Sequence, residues 1–484
     1  MNTSDKIFKG YGVEAVNLYF TGTCNLKCTY CFQPKIGTHM RDINNKIIEW
    51  ITSGRMEDDI ATKIGDHISS LCFWGGESTI NIPYFVQRFP FIVERFKNFN
   101  SIDFSTNLAK QFSVDNIIEL AETVLNYNLT NTEGRHIHIG AQISIDGVPE
   151  INDTARIGCS ALQIMDNTEQ LIEWCNRDED HLEALSLSFK GTHGSESVAW
   201  MSKGNNLEKH FRFFDEYRAK WEQKGYEVFP MGGECTTFVY PGKYTVEDGK
   251  NLAKVMQIQL SDEFQNLNWK SSRKPSFENQ LYTRVKSTLS TLKRGSIRDY
   301  KGELMGVTSC SACRGSVGLT YDGKVHWCHS TYFFDDDTVK YITENNLTTD
   351  FEENQGFSFR NFNDYVRDIE VVDSDDTLRL SRTLNLVQSF GNNSTLRTQF
   401  FTMILSELAA SGQISECFLD KKWQDIAIAY LLYGGNECPA NNVWEFGSIW
   451  VRSTSQMKLF FNGAFETIVK YLVENDKWNE TNEL

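Results

Sequence analysis

Three cysteines placed directly after a strand constrain this chain more than any other feature. The apolar run Val16, Leu18, Tyr19 and Phe20 reads as a buried strand. It leads without a break into Thr21-Gly-Thr-Cys24-Asn-Leu-Lys-Cys28-Thr-Tyr-Cys31. The thiols therefore sit on a loop at the C-terminal end of a first strand, where α/β folds place their chemistry. Three thiolates at C-x3-C-x2-C spacing suit three irons of a [4Fe–4S] cube. An electron-transfer cluster normally has four cysteine ligands, and no fourth stands nearby. An iron without a protein ligand is open to a small molecule. The other metal reading is a structural zinc site with His39 as the fourth ligand, although such sites usually pair their ligands as C-x2–4-C.

Downstream, strand and helix patterns alternate. Helix-compatible spacing begins near Ile43 to Arg55, and a second strand, Ser70 to Trp74, runs into Gly75-Gly76-Glu77. Small residues at a strand end leave backbone groups accessible to a ligand. A Phe-rich helix over 83–98 is followed by a strand, Ser101 to Phe104, ending in Ser105-Thr106-Asn107. Hydroxyl and amide groups there suit a ribose diol, or they cap a turn. After a helix at 116–126, a fourth strand, Ile137 to Ile145, ends in Ser144-Ile-Asp146-Gly. A helix near 167–177 leads to a fifth strand at 185–189, a long helix at 207–223 and a sixth strand at 226–230. Six strands separated by helices predict a parallel sheet. His193, Glu234 and Cys235 fall where strands five and six are expected to end, and each is a candidate proton-transfer group. A structural role is the commoner use of such residues.

The polar stretch 242–306 reads as a helical bridge, with a basic series (Lys270, Arg273, Lys274, Arg284, Lys286, Lys293, Arg294) that suits a solvated helix face. A second cysteine group follows. Cys310-Ser-Ala-Cys313 precedes Gly318 to Trp327, which reads as a β-hairpin turning at Asp322-Gly323 and ending at Cys328. The hairpin would bring Cys313 and Cys328 together near Cys310, and a zinc site is one reading of that group. Residues 360–484 are largely helical by pattern (383–412, 420–432 and 459–475).

With 484 residues, the chain is long enough for two or three domains. A net charge of −16 disfavours broad, non-specific nucleic-acid binding, which rests on phosphate neutralisation by Lys and Arg. No apolar run approaches the ~18–20 residues of a membrane span, and the N-terminus lacks the pattern of a signal peptide. The expected location is the cytoplasm, where twelve sparse cysteines point to metal or catalysis rather than disulfides.

With Tyr30 before the third cysteine and Phe32 after it, the loop resembles the C-x3-C-x-aromatic-C signature of the radical S-adenosylmethionine (SAM) superfamily. Gly75-Gly76-Glu77 resembles that family's "GGE" motif, and Ser105-Thr-Asn107 its "STN"-like segment. Ser144-Ile-Asp146-Gly…Asn-Asp153…Arg156 resembles a segment of the members that carry a SPASM or twitch C-terminal domain. The resemblance implies a partial (β/α)6 TIM-like barrel over 1–240, a helical bridge at 241–306, a small β-hairpin and helical cluster-binding domain at 307–445, and a helical C-terminal extension at 446–484. It implies a [4Fe–4S] cluster on Cys24, Cys28 and Cys31. Around SAM it places Phe32, Gly75, Gly76, Glu77, Ser105, Asn107, Ser144, Asp146 and Arg156. It implies an auxiliary [4Fe–4S] cluster on Cys310, Cys313, Cys328 and Cys438, with Cys417 and His329 as reserve ligands. The longer SPASM cysteine block is missing, and Gly434-Gly-Asn-Glu-Cys438-Pro-Ala resembles only its tail. The implied partners are a flavodoxin- or ferredoxin-type electron donor and a peptide or protein substrate. A nucleotide, nucleic acid or small metabolite is the second choice of substrate. A non-enzymatic iron–sulfur or zinc protein is the alternative of another class.

Overall fold

The structure, a computed structural model, describes residues 13–31, 40–238, 245–294, 315–326, 329, 394–412, 414–430 and 463–477. Its centre is one mostly parallel sheet. The first strand, β1 (Ala15–Thr21), is followed by a two-residue strand β2 (Lys27–Cys28) and helices α1 (Arg41–Thr52) and α2 (Arg55–Lys63). Next come β3 (Ser70–Gly75), α3 (Ile82–Arg95), β4 (Ser101–Thr106), α4 (Gln111–Thr130) and β5 (His138–Ser144). The chain continues through α5 (Pro149–Ala155), β6 (Arg156–Ile157), α6 (Ala161–Cys175), α7 (Glu179–Ala184) and β7 (Leu185–His193). Helices α8 (Ser195–Met201) and α9 (Asn206–Gln223) lead to β8 (Met231–Phe238).

Strands β1, β3, β4, β5, β7 and β8 lie side by side in chain order, all parallel. This is the six-stranded β/α arrangement that the alternating pattern predicts. The sheet is open. The free edge of β1 is taken by β9 (Ser316–Leu319), which pairs parallel to it and antiparallel to β10 (Val325–His326). The expected hairpin is present, with Gly323 at φ +75° in its turn.

Parallel sheets are usually buried on both faces. Here the two faces differ. Leu71, Phe73, Ile102, Phe104, Ile139, Ala141 and Ile143 are buried under the helices, and Phe73 stacks on Phe20 at 3.9 Å and meets Phe85 of α3 at 4.8 Å. The alternate residues of β3, β4 and β5 are only half-buried. Strand registers place them in rows: Asn17, Cys72, Asp103, Gly140 and Ser186 in one, then Trp74, Ser105, Gln142 and Ser188 in the next, with Ser144 beside Lys190 beyond. The sheet thus has an apolar back and a polar front.

The sixth strand lies later than the pattern suggests. Residues 226–230 are not strand, and Asn176 receives the amides of Glu227 and Val228 instead. Pairing starts at Met231, so Glu234 and Cys235 lie inside β8 rather than beyond it. The cause is local: Pro230 has no N–H to give a ladder.

Three more helices complete the first part: α10 (Val246–Gln259), α11 (Asp262–Gln265) and α12 (Gln280–Lys293). Later come α13 (Ser394–Ala410), α14 (Lys421–Ala429) and α15 (Ala464–Glu474). The bridge helices pack on the last helix: Tyr282 lies 6.4 Å from Tyr471, and Phe465 in turn contacts Tyr430 and Phe418. No helix among the described residues is long and apolar enough to cross a membrane.

On the apolar back, His193 at the end of β7 and His210 of α9 meet edge to face at 5.3 Å, both fully buried. His210 Nε2 faces the Glu234 carbonyl at 3.2 Å, while His210 Nδ1 and both His193 nitrogens have no hydrogen-bond partner among the described residues. Burial pushes both imidazoles down to about 3. A depressed pKa gives stability that is fully present above the unfolded value of about 6.5 and is lost progressively as pH falls towards 3. His193→Leu is therefore expected to lose less stability than wild type between pH 7 and pH 5, by about 2 kcal/mol. Urea midpoints at the two pH values measure this, and parallel shifts in the two proteins would refute it.

Candidate functional site

The cysteine loop is fixed before it reaches its first thiol. Asn44 of α1 accepts from Thr21 Oγ1 at 3.0 Å and from the Gly22 amide at 3.1 Å. Asn81 bonds Asn44 and donates to the Phe20 carbonyl at 2.7 Å. Further on, β2 pairs antiparallel with β6, setting Cys28 opposite Arg156, and the Thr29 amide donates to the Ala155 carbonyl at 2.8 Å. Cys24 and Cys28 are half-buried, Cys31 is exposed, and none is in a disulfide. Burial pushes the Cys24 thiol up to about 12 and the Cys28 thiol up to about 11, and the neighbouring thiols contribute in the same direction. Phe32 and His39 lie outside the described residues.

These residues fit an iron–sulfur cluster better than a single ion. Among the described residues, no three Cys, His, Asp or Glu side chains converge on one metal-ion position. A [4Fe–4S] cube carries iron at alternate corners, so its thiol ligands stand further apart than the ligands of a lone ion. The Leu26 amide already points at Cys24 Sγ at 3.5 Å, the kind of N–H···S contact that steadies a thiolate ligand.

The end of β3 closes against this loop. Gly75 has φ +133°, and a Cβ there would stand 2.1 Å from the Thr21 carbonyl oxygen, so no larger residue is accommodated. The Gly76 amide donates to Thr21 O at 3.1 Å and the Glu77 amide to Thr23 O at 2.9 Å. The Glu77 carboxyl is buried. It accepts from Thr79 Oγ1 (2.6 Å), the Thr79 amide (3.3 Å), Thr106 Oγ1 (2.7 Å) and the Asn107 amide (2.7 Å). Burial raises its pKa and the four donors lower it, with a net rise.

Ser105 and Asn107 part company. Asn107 Nδ2 donates to Asn25 Oδ1 at 2.7 Å and lies 3.9 Å from Cys24 Sγ, so this side chain braces the cysteine loop. Ser105 faces the polar front and donates to Gln142 Oε1 at 3.2 Å.

The third strand-end segment meets the loop from the other side. Tyr30 donates to Asp146 Oδ2 at 2.6 Å, and Arg156 Nη1 donates to Tyr30 Oη at 2.6 Å, 4.0 Å from Asp146. The other Asp146 oxygen receives the Thr192 amide at 2.8 Å. All three side chains are largely buried. Burial pushes the Asp146 carboxyl up while Arg156 and Tyr30 pull it down, and the net direction is upward. Burial works against the Arg156 charge, but Tyr30 and Asp146 more than offset it. Ser144, half-buried, stays on the polar front beside Lys190. Sequence reasoning identifies Asp146 and Arg156 but not their shared partner Tyr30, since a hydrogen bond across 116 positions leaves no local signature.

The candidate proton-transfer residues sit elsewhere. His193 and Glu234 lie on the apolar back, and Glu234 forms a buried ion pair with Arg218 of α9. Cys235 is within β8, and its side chain lies outside the described residues.

The polar front encloses a cavity of about 330 Å³ lined by Trp74, Asp103, Ser105, Gln142, Ser186 and Ser188, among others. Cys72 lines it too, not packed in the core as its apolar context suggests. Alternation within β3, β4, β5 and β7 is the signal that would have found this wall.

Of the second cysteine group, Cys310, Cys313, Cys328 and Cys438 lie outside the described residues. The two reserve ligands are in different layers. Cys417 sits by Ser415 and Glu466 among the late helices, whereas His329 stacks on Trp74 at 3.6 Å over the polar front.

No curated protein matches the chain. Eight solved chains match its structure, among them "Native anSMEcpe with bound AdoMet", at 14% sequence identity and a TM-score of 0.46, covering 96% of this chain and 99% of that one. Residues 8–135, which hold all three loop cysteines and the Gly75-Gly76-Glu77 strand end, match a family described as a 4Fe-4S single cluster domain, and over that stretch the chain is similar to such domains.

Proposed function

We propose that this chain is a radical SAM enzyme. The observation that carries the reading is a loop with three cysteines, none in a disulfide, and no fourth, locked onto the ends of parallel strands inside a stretch similar to 4Fe-4S single cluster domains. Cys24, Cys28 and Cys31 hold the cluster in this reading. When bound there, a [4Fe–4S] cluster would supply the electron for reductive cleavage of SAM, the chemistry that would give a 5′-deoxyadenosyl radical.

The chain's own residues fix the loop, shape the binding surface and limit water. Gly75 allows β3 to approach Thr21 without a Cβ, and Glu77 ties that strand end to β4. Gly75, Gly76 and Glu77 are the proposed surroundings of the SAM amine, with Ser105 and Asn107 toward its ribose and Phe32 against the cofactor. Ser144, Asp146 and Arg156 border the same end of the sheet. A guanidinium held between Tyr30 and Asp146 is oriented in advance for a carboxylate. The half-buried polar front is the proposed reaction chamber. It takes a substrate whose hydrogen is abstracted, a peptide or protein side chain in our first reading.

The auxiliary cluster on Cys310, Cys313, Cys328 and Cys438 remains part of the proposal, as do a flavodoxin- or ferredoxin-type donor and the division at 240, 306 and 445. The hairpin that opens the proposed cluster domain belongs to the central sheet through β9 and β1.

Anaerobic reconstitution with iron and sulfide counting is the first test. Wild type is expected to hold about eight irons and the Cys24→Ala/Cys28→Ala/Cys31→Ala variant about four. Reduced wild type should release 5′-deoxyadenosine from SAM, and the triple variant should not. Zinc in place of iron, or full iron without SAM cleavage, would overturn the enzyme reading.

Glu77→Ala removes the acceptor of four hydrogen bonds and leaves the buried Asn107 amide unmatched. A loss of about 1–3 kcal/mol in stability is expected. Iron retention on dilution into chelator should fall with it, because the carboxyl fixes the turn whose backbone amide holds Thr23 next to Cys24. Unchanged retention would show that the loop does not depend on this junction.

A further inference from the structure

We propose that Lys190 binds a carboxylate of the substrate within the polar front, an inference that rests on reading that face as the reaction chamber. Lys190 lies on β7 in register with Ser144 of β5. Ser188 stands two residues earlier on the same face, opposite Gln142. Its ammonium is mostly withdrawn from water, and burial lowers its pKa. His329 stacks on Trp74 at 3.6 Å over the same face. An aromatic wall therefore stands beside the charge.

Among the described residues, no carboxylate pairs with Lys190. Asp146 is taken by Tyr30, Arg156 and Thr192. Asp103, the acid on this face of β4, is two rows away, roughly 13 Å along the strands. It already accepts from the Ser101 and Ser70 hydroxyls at 3.0 and 3.5 Å. A half-buried ammonium that no described carboxylate pairs is costly to keep, and a bound anion removes that cost.

The local chemistry selects the class of anion. One cation with the hydroxyls of Ser144 and Ser188 and the amide of Gln142 matches a single negative charge. A phosphate dianion would call for a second cation, and Arg156, at the same end of the sheet, is the one set toward the SAM carboxylate in the proposed function. The carboxylate has two possible sources, SAM or the substrate. In the proposed function Arg156 takes the SAM carboxylate, which leaves Lys190 to the substrate.

The test uses the full chain with lysines carrying ¹³C-methyl groups, and Lys190→Arg identifies the Lys190 signal. The probes are N-acetyl-glycyl-glycine, its C-terminal amide, and SAM. The acid is expected to shift the Lys190 resonance and raise its pKa, while the amide and SAM leave both unchanged. Lys190→Met should weaken binding of the acid by about tenfold or more, followed through any other signal that responds to the acid. Equal responses to acid and amide, or no response to either, would overturn the proposal. A response to SAM alone would assign the carboxylate to the cofactor and overturn it equally. The acid–amide comparison is made on the wild-type sequence, so it stands even if the methionine variant fails to fold. Iron content and SAM cleavage, measured on the same preparation, report on the enzyme reading separately.

Discussion

The Glu77 carboxylate holds the functional end of this protein together. It collects hydrogen bonds from its own turn, from the last residue of β4 and from the residue after it. Its backbone amide at the same time anchors the cysteine loop at Thr23. A buried carboxyl surrounded by donors is expensive to strip of any one of them, so strand ends and loop form a unit that moves together or not at all. The neighbouring Asn107 extends the brace to Asn25, within reach of Cys24. The loop is thus clamped from β4, while β6 and the Tyr30–Asp146–Arg156 cluster clamp it from the other side.

The two sides of the sheet have different chemistry. The back is packed with Phe, Ile and Leu and carries buried polar pairs, His193 with His210 and Arg218 with Glu234, that tie β7 and β8 to α9. The front is lined with Ser, Gln, Asp and Lys that are half-buried on β4 and β5 and half-buried to exposed on β7. A closed core would have no use for that row, whereas a chamber needs groups able to bind and orient a polar substrate.

Much of this was legible in the sequence because the strand-end motifs are contiguous with their strands. An apolar run followed by Cys24, by Gly75-Gly76 or by Asp146-Gly147 announces both the strand and where it stops. The sixth strand was misplaced because Tyr226 to Pro230 has strand-like residues, while of the glycines that look like a turn, Gly232 pairs with Phe189 of β7 and Gly233 lies at the register shift that follows. Tyr30 with Asp146, and His329 with Trp74, join positions far apart in the chain, and no local pattern encodes such pairings. The front wall was missed for a different reason: Lys190 and Gln142 sit in strands otherwise read for their apolar partners.

The hairpin against β1 carries a consequence for how the molecule is made. Asn17 Nδ2 donates to the Val317 carbonyl at 3.3 Å, across 300 positions. As the chain leaves the ribosome, β1 can find β3 early, but its outer edge has to wait for nearly two-thirds of the protein. Throughout that interval the nascent sheet exposes a bare row of backbone donors and acceptors, the surface on which strands of separate chains pair wrongly. The β9–β10 clasp therefore acts as a late seal. A product ending before residue 316 would contain all six core strands and still have a sticky margin beside its cysteine loop.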